Sequence, residues 1–146
     1  MKRNILKQLN RLIAFSLSIL GIGATFTACD NGGAVEYGVP NANYKINGKV
    51  TSETTSEAIK NIRVSSEYDT AYTNENGEFE IIQSEFPLDT VTIQLKFSDV
   101  DGTGNGEFKE KDTAVVFIDP EYKDGEGSWY KGTASKEFNI SLEEEN

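Results

Sequence analysis

The stretch that decides the fold reads Val91-Thr-Ile-Gln-Leu-Lys-Phe-Ser98. Its apolar residues alternate with polar ones, which is the period of a β-strand that buries one face. The same alternation predicts a first strand at residues 44–51, a second at 62–65 and a last strand at 138–143. Together these segments predict an all-β domain.

Three further segments complete the predicted strands. Residues 68–73 and the segment around Phe79 and Ile81 flank Asn76-Gly77, a pair typical of a tight hairpin because both residues tolerate positive φ. Residues 114–118 are apolar throughout, which predicts a central strand buried on both faces. No segment of helical period follows the N-terminal leader. We therefore predict a seven-stranded antiparallel β-sandwich over residues 44–146.

The N-terminal leader has the pattern of a cleaved export signal. Four basic residues precede an apolar run at residues 12–22, which is too short for the roughly 20 residues that span a bilayer. Phe26-Thr-Ala-Cys29 follows and resembles a bacterial lipobox. That resemblance implies cleavage before Cys29, a diacylated thiol and usually a further acyl chain such as palmitate on the new amino group. We predict a signal peptide at 1–28 and a lipidated tether at 29–43, held stably by two or more chains.

Charge and composition exclude several classes of function. The leader holds four of the 14 basic residues and none of the 24 acidic ones, so the mature part has 10 basic against 24 acidic side chains, a net of −14. Such a charge excludes nucleic acid as a partner. There is no histidine, and the single cysteine is Cys29, which excludes disulfides, thiolate or imidazole metal sites and Ser-His or Cys-His nucleophile pairs. We expect no catalytic residues and no enzyme activity.

One loop has the spacing of a calcium site. Oxygen-bearing residues occupy positions 1, 3, 5, 7, 9 and 12 of a twelve-residue loop that has glycine at position 6, as in known calcium loops. These residues are Asp99, Asp101, Thr103, Asn105, Glu107 and Glu110. The alternative is a glycine-rich loop whose Asp side chains bind their own backbone. Calcium is the only cofactor that the sequence suggests.

Three aromatic residues outside the alternating strands are candidate partner contacts. Trp129 and Tyr130 are flanked by glycines and Lys131, and Tyr37 lies in the predicted tether. Exposed aromatic side chains suit a carbohydrate or protein partner. The alternatives are core packing for Trp129 and docking on the sandwich for Tyr37.

Two family resemblances add to this reading. Ile46-Asn-Gly-Lys-Val50, residues 58–64 and residues 72–79 resemble the carboxypeptidase regulatory-like domain. The resemblance covers about 40 residues and implies a transthyretin-like sandwich with an accessory, non-catalytic role.

The second resemblance spans most of the mature chain. The lipobox, Tyr37-Gly-Val-Pro40, Asp99-Val-Asp-Gly102 and Gly127-Ser-Trp-Tyr-Lys131 are similar to the lipoproteins associated with radical SAM proteins in Gram-negative anaerobes. This implies a radical SAM enzyme as a neighbour and favours the outer membrane over the inner one, facing the periplasm or the surface.

Two functions follow from these observations. The first is a membrane-anchored lipoprotein of the cell envelope that acts as a binding module for a protein or glycan. The second is a substrate or partner of a radical SAM modifying enzyme, with Tyr37, Trp129 or Lys131 as the modified residue.

Overall fold

Two β-sheets packed face to face make up the part of the chain that the computed structural model describes, which is residues 39–145 together with Lys7. The predicted signal peptide, Cys29 and Tyr37 therefore lie outside the described residues. The strands are β1 (Asn41–Ser52), β2 (Ile62–Ser65), β3 (Thr70–Tyr72), β4 (Glu78–Glu85), β5 (Thr90–Asp99), β6 (Lys111–Ile118), β7 (Tyr130–Glu137) and β8 (Ile140–Leu142). The prediction of an all-β sandwich is confirmed.

Sheet I is built on both sides of β1. Strand β4 pairs antiparallel with one side of β1, while β7 and then β8 pair with it in parallel. Sheet II has the order β3-β2-β5-β6 and is antiparallel throughout. The prediction of a wholly antiparallel arrangement is therefore wrong for sheet I.

The predicted count of seven strands is also wrong, because the described residues form eight. The missed strand is β7, whose sequence lacks an alternating row of large apolar residues. Its buried positions are Gly132 and Ala134, which are too small to produce a recognisable pattern. Strand β1 also begins at Asn41, before the predicted start at residue 44, so the end of the predicted tether belongs to the sheet.

Two local predictions need correction. Strand β6 lies at the edge of sheet II rather than in its centre, and Ile118 at its end is exposed. The turn at residues 74–77 is tight, with the Gly77 amide donating to the Asn74 carbonyl at 2.8 Å and Gly77 at φ 74°. It does not form a paired hairpin, because β3 belongs to sheet II and β4 to sheet I.

The core fills the space between the sheets. Predicted strand 91–98 is confirmed as β5, which is central in sheet II and buries every second side chain. The aromatic rings meet edge to face, with centroid distances of 5.0 Å for Tyr44–Phe117 and 5.6 Å for Phe79–Phe97. Each large apolar side chain buried here contributes about 1.5–3 kcal/mol to folding. The fully buried large apolar side chains are Tyr44, Ile46, Val50, Ile62, Val64, Ile81, Ile93, Leu95, Phe97, Val115 and Leu142.

The sandwich has two ends, which we name by their loops. The tether end comprises residues 39–40, the loop at 86–89 and the segment at 119–129, all next to the start of β1. The far end comprises the loops at 53–61, 73–77 and 100–110 and the tail at 143–145. Within the described part of the chain, no helix has the length and apolar character needed to cross a membrane.

Candidate functional site

The structure separates the candidate residues that the sequence suggested. The loop with calcium spacing lies at the far end, whereas Trp129 and Tyr130 lie at the tether end. These features therefore do not form one site. The candidates at Cys29 and Tyr37 fall outside the described residues.

The loop at 100–110 is held by its own hydrogen bonds. Asp99 Oδ1 accepts from the amides of Asp101 and Gly102 at 3.1 and 3.2 Å, and Asp99 Oδ2 accepts from the Phe108 amide at 3.0 Å. Asn105 donates from Nδ2 to the Lys60 carbonyl at 2.6 Å. Both oxygens of Asp99 are thus engaged by backbone amides, as in the alternative reading of this loop.

The last residue of the calcium spacing faces a different partner. Glu110 Oε2 lies 2.9 Å from Lys96 Nζ, and Glu110 Oε1 accepts from Ser98 Oγ at 2.8 Å. The hydrogen bonds from Lys96 and then Ser98 hold the pKa of Glu110 below its ordinary value. Across the described residues, no three His, Cys, Asp or Glu side chains come together in a way that could hold a metal ion. The calcium site stays a prediction.

Trp129 and Tyr130 are both half-buried. The Trp129 carbonyl accepts from the Asn41 amide at 2.8 Å, which fixes the start of β7 beside the start of β1. The Tyr130 hydroxyl lies 3.2 Å from Asn43 Nδ2 and 3.0 Å from Thr133 Oγ1. Tyr130 is therefore part of a row of hydrogen-bonded polar side chains with Asn43 and Thr133, which we call the polar row, and its hydroxyl does not point freely into solvent.

That polar row belongs to the outer face of sheet I, which the sequence analysis did not single out. Asn43 Oδ1 accepts from Ser84 Oγ at 2.5 Å, so the row crosses from β7 over β1 to β4. Further along the same face, Lys45 Nζ pairs with Glu80 Oε2 at 2.5 Å. Side chains from neighbouring strands are thus fixed against one another across the sheet.

A shallow groove of about 660 Å³ lies on this face, toward the far end. It forms where the edge of sheet I is interrupted between the end of β7 and the start of β8. Its lining residues are Asn47, Gly48, Lys49, Thr51, Glu78, Phe79, Glu137, Asn139, Ile140 and Ser141. We call this feature the sheet I groove.

Asn139 is the organising residue of the sheet I groove. Its Oδ1 accepts from the Lys49 amide at 2.8 Å, and its Nδ2 donates to Glu137 Oε1 at 2.8 Å. Also in the lining of the groove, the hydroxyls of Thr51 and Ser141 lie 3.1 Å apart. Asn139 therefore replaces the backbone pairing that the strand interruption removes, and it orients a carboxylate toward the groove.

The backbone at Gly48 makes the interruption possible. The Phe138 amide donates to the Asn47 carbonyl at 2.8 Å, which brings the Phe138 backbone directly over Gly48. A Cβ at Gly48 would lie 2.8 Å from the Phe138 carbonyl carbon and from Phe79 Cε1, and nearer still to the Phe138 oxygen. Glycine is needed here because of close approach, which a single sequence does not reveal.

A second polar cluster is buried inside the tether end. The Tyr44 hydroxyl donates to the Phe86 carbonyl at 3.2 Å and lies 2.6 Å from the Tyr122 hydroxyl. Burial, and then the hydrogen bond with Tyr122, raise the pKa of Tyr44 far above its ordinary value. Nearby in register, Gln83 donates to Glu85, while its own Oε1 is buried without a hydrogen-bond partner among the described residues. The cluster fixes the loop at 86–89 to the core.

No family model matches this chain, and no curated protein matches it.

Proposed function

We propose that this chain is a lipid-anchored module of the cell envelope that binds a partner through the sheet I groove and performs no catalysis. The observation that supports this proposal is the fixed arrangement of amide, hydroxyl and carboxylate groups around Asn139. Groups already held in place lose little freedom on binding, so they suit recognition. The lipobox pattern ending at Cys29 supports the anchored part of the proposal.

A glycan is the partner class that the groove suits best. Protein interfaces have apolar centres from which charged residues are depleted. The sheet I groove carries the charged residues Lys49, Glu78 and Glu137 beside the apolar Phe79 and Ile140. Sugars present hydroxyls, which both donate and accept hydrogen bonds, and the groove offers fixed donors and acceptors of both kinds.

The anchor is tested by the intact mass of the protein purified in detergent from its native membrane. We expect a chain that begins at Cys29 and carries acyl groups. A chain that retains Met1, or one that carries no lipid, contradicts the anchored part of the proposal.

The binding part is tested by titrating the full lipoprotein in detergent with solubilised envelope glycans. Glu137→Gln removes the charge that Asn139 orients, and loss of a charge-assisted hydrogen bond of about 1.5–3 kcal/mol weakens binding by roughly 10- to 150-fold. Glu75→Gln is the matched control, because Glu75 is exposed at the far end beside Lys60. Equal affinities for the two variants contradict the groove assignment. Capture of a protein instead, lost in Glu137→Gln alone, would make that protein the partner.

The radical SAM resemblance supports a second candidate, a substrate of a modifying enzyme. Lys131 is exposed on β7, so an enzyme can reach it, whereas Trp129 is half-buried. The same intact mass tests this candidate. A mass shift beyond the acyl groups, mapped by fragmentation to Tyr37, Trp129 or Lys131, supports it, and a mass fully explained by the lipid contradicts it.

A further inference from the structure

The tether end exposes a cluster of large apolar side chains. Val39, Phe86, Leu88 and Ile118 are 61%, 53%, 58% and 71% exposed. They come from three separate parts of the chain, yet all lie at the same end of the sandwich. The other exposed large apolar side chains among the described residues are Tyr68, Tyr72 and Ile82, which lie outside the tether end, and Val100 at the far end; they are 68%, 58%, 42% and 47% exposed. We call Val39, Phe86, Leu88 and Ile118 the tether-end patch.

The fold itself brings the patch together. Phe86 lines a small hollow with Val39 and Pro40, and the Leu88 amide donates to the Phe86 carbonyl at 3.0 Å. Ile118 pairs in register with Thr90, just after that loop, and the neighbouring Asp119 amide donates to the Asp89 carbonyl at 2.7 Å. These backbone contacts bring the four residues to the same end of the sandwich, with Val39 and Phe86 on the side of sheet I and Ile118 on the side of sheet II.

The loop that carries two of these residues is held rigidly. The Tyr44 hydroxyl donates to the Phe86 carbonyl from inside the core, and Tyr122 meets that hydroxyl. The backbone at Phe86 is thus fixed to the core by the Tyr44 hydroxyl. Exposed apolar side chains grouped at one place mark a surface that contacts a partner or a membrane.

We infer that the tether-end patch rests on the surface of the phospholipid bilayer that holds the acyl chains of Cys29. This inference rests on the lipid anchor of the proposed function. Cys29 and Val39 are ten positions apart in the chain. Fully extended, the segment between them reaches at most about 35 Å, so the bilayer that holds the acyl chains lies within that distance of Val39. Half-buried Trp129 and Tyr130 at the same end are residue types that favour the membrane interface.

Charge determines which lipids the patch contacts. At and beside the tether end, the acidic residues Glu85, Asp89, Asp119 and Glu121 outnumber the basic residues Lys123 and Lys131. The excess of carboxylates disfavours an anionic surface. Contact is therefore expected with zwitterionic lipids and weaker contact with anionic ones.

The experiment uses the full lipoprotein, with acylation of Cys29 verified by intact mass, reconstituted into phosphatidylcholine vesicles. Because acylation blocks Cys29, single cysteines introduced by Leu88→Cys or Val100→Cys can be labelled selectively with an environment-sensitive fluorophore. Vesicles that contain spin-labelled lipid then quench any label at the bilayer surface. We expect several-fold stronger quenching at position 88 than at position 100, and weaker quenching at 88 when phosphatidylglycerol is added.

A second variant tests the patch itself. Phe86→Asp in the Leu88→Cys background should reduce quenching to the level at position 100, while the vesicles still retain the protein through its lipid. Phe86 is half exposed, so the fold should tolerate this change, and circular dichroism checks that it does.

The outcomes separate the two proposals. Equal quenching at positions 88 and 100 in acylated, vesicle-bound protein overturns the inference and leaves the anchor intact. A position-88 label that is shielded in detergent, together with a doubled mass by light scattering, assigns the patch to a second copy of the chain and also overturns it. An unacylated Cys29 overturns the anchor and this inference with it.

Discussion

Replacing Gly48 with alanine tests how the sheet I groove is built. The new Cβ would lie 2.8 Å from the Phe138 carbonyl carbon and from Phe79 Cε1. The backbone of Phe138 has little freedom to yield, because its amide donates to the Asn47 carbonyl at 2.8 Å. Overpacking costs about 1–3 kcal/mol and a lost hydrogen bond about 1 kcal/mol, so Gly48→Ala should destabilise the fold by roughly 2–4 kcal/mol.

Thermal unfolding of the full protein in detergent, followed by circular dichroism, measures this cost. A loss of that size lowers Tm by roughly 10–20 °C in a domain of about 100 residues. Gly104→Ala is the matched control, because its Cβ would lie 3.6 Å from the nearest Asp101 atoms, an ordinary contact distance. The control should move Tm little or raise it slightly. Equal Tm values for the two variants would refute the close approach at Gly48.

Three further predictions concern the tether end and the far end. Tyr44→Phe removes the buried hydroxyl that meets Phe86 and Tyr122 and should cost about 1–2 kcal/mol in denaturant unfolding, whereas Tyr72→Phe at an exposed site should cost little. The pKa of Glu110 is lowered in the folded protein, so the ionised side chain stabilises the fold above its ordinary pKa of 4.5. That stabilisation is lost as pH falls through the lower folded pKa. The Tm of Glu110→Gln should therefore fall less on acidification than the Tm of the unchanged protein. Calcium at millimolar concentration should leave Tm unchanged, because Asp99 and Glu110 already have partners. If the loop held calcium with a Kd of about 0.1 mM, the free energy of unfolding would instead rise by about 2.7 kcal/mol at roughly 10 mM calcium.

Large alternating side chains made the core strands predictable from sequence. Strand β5 was correctly predicted because Val91, Ile93, Leu95 and Phe97 all face the interior. Strand β7 was not predicted, because Gly132 and Ala134 bury little and its pairing partner is the distant β1. The position of β6 was predicted wrongly, because its apolar residues do not reveal that it lies at the edge of sheet II. A run of apolar residues records hydrophobicity, but it does not show which strand lies beside it.

The candidate site was less predictable than the fold. Asn139 and Gly48 are 91 positions apart in the chain and are brought together by the parallel pairing beside β1. Neither residue has a local sequence pattern that indicates its role. The spacing of the calcium loop was visible in the sequence, but spacing does not show that Asp99 is already bonded to backbone amides. At both places, hydrogen bonds that a residue pattern does not record orient the side chains, and the calcium site stays a prediction.

The direction and length of β1 also set how far a partner in the sheet I groove would be from the membrane. If the tether-end patch rests on the bilayer, as inferred, β1 points away from it, starting at Asn41. Asn47 and Thr51 line the sheet I groove six and ten residues further along the strand. At about 3.3 Å per residue, the groove lies roughly 20–33 Å above the start of β1. A glycan attached close to the lipid head groups cannot reach that height without a long chain. The geometry therefore favours an extended polymer over a short glycolipid.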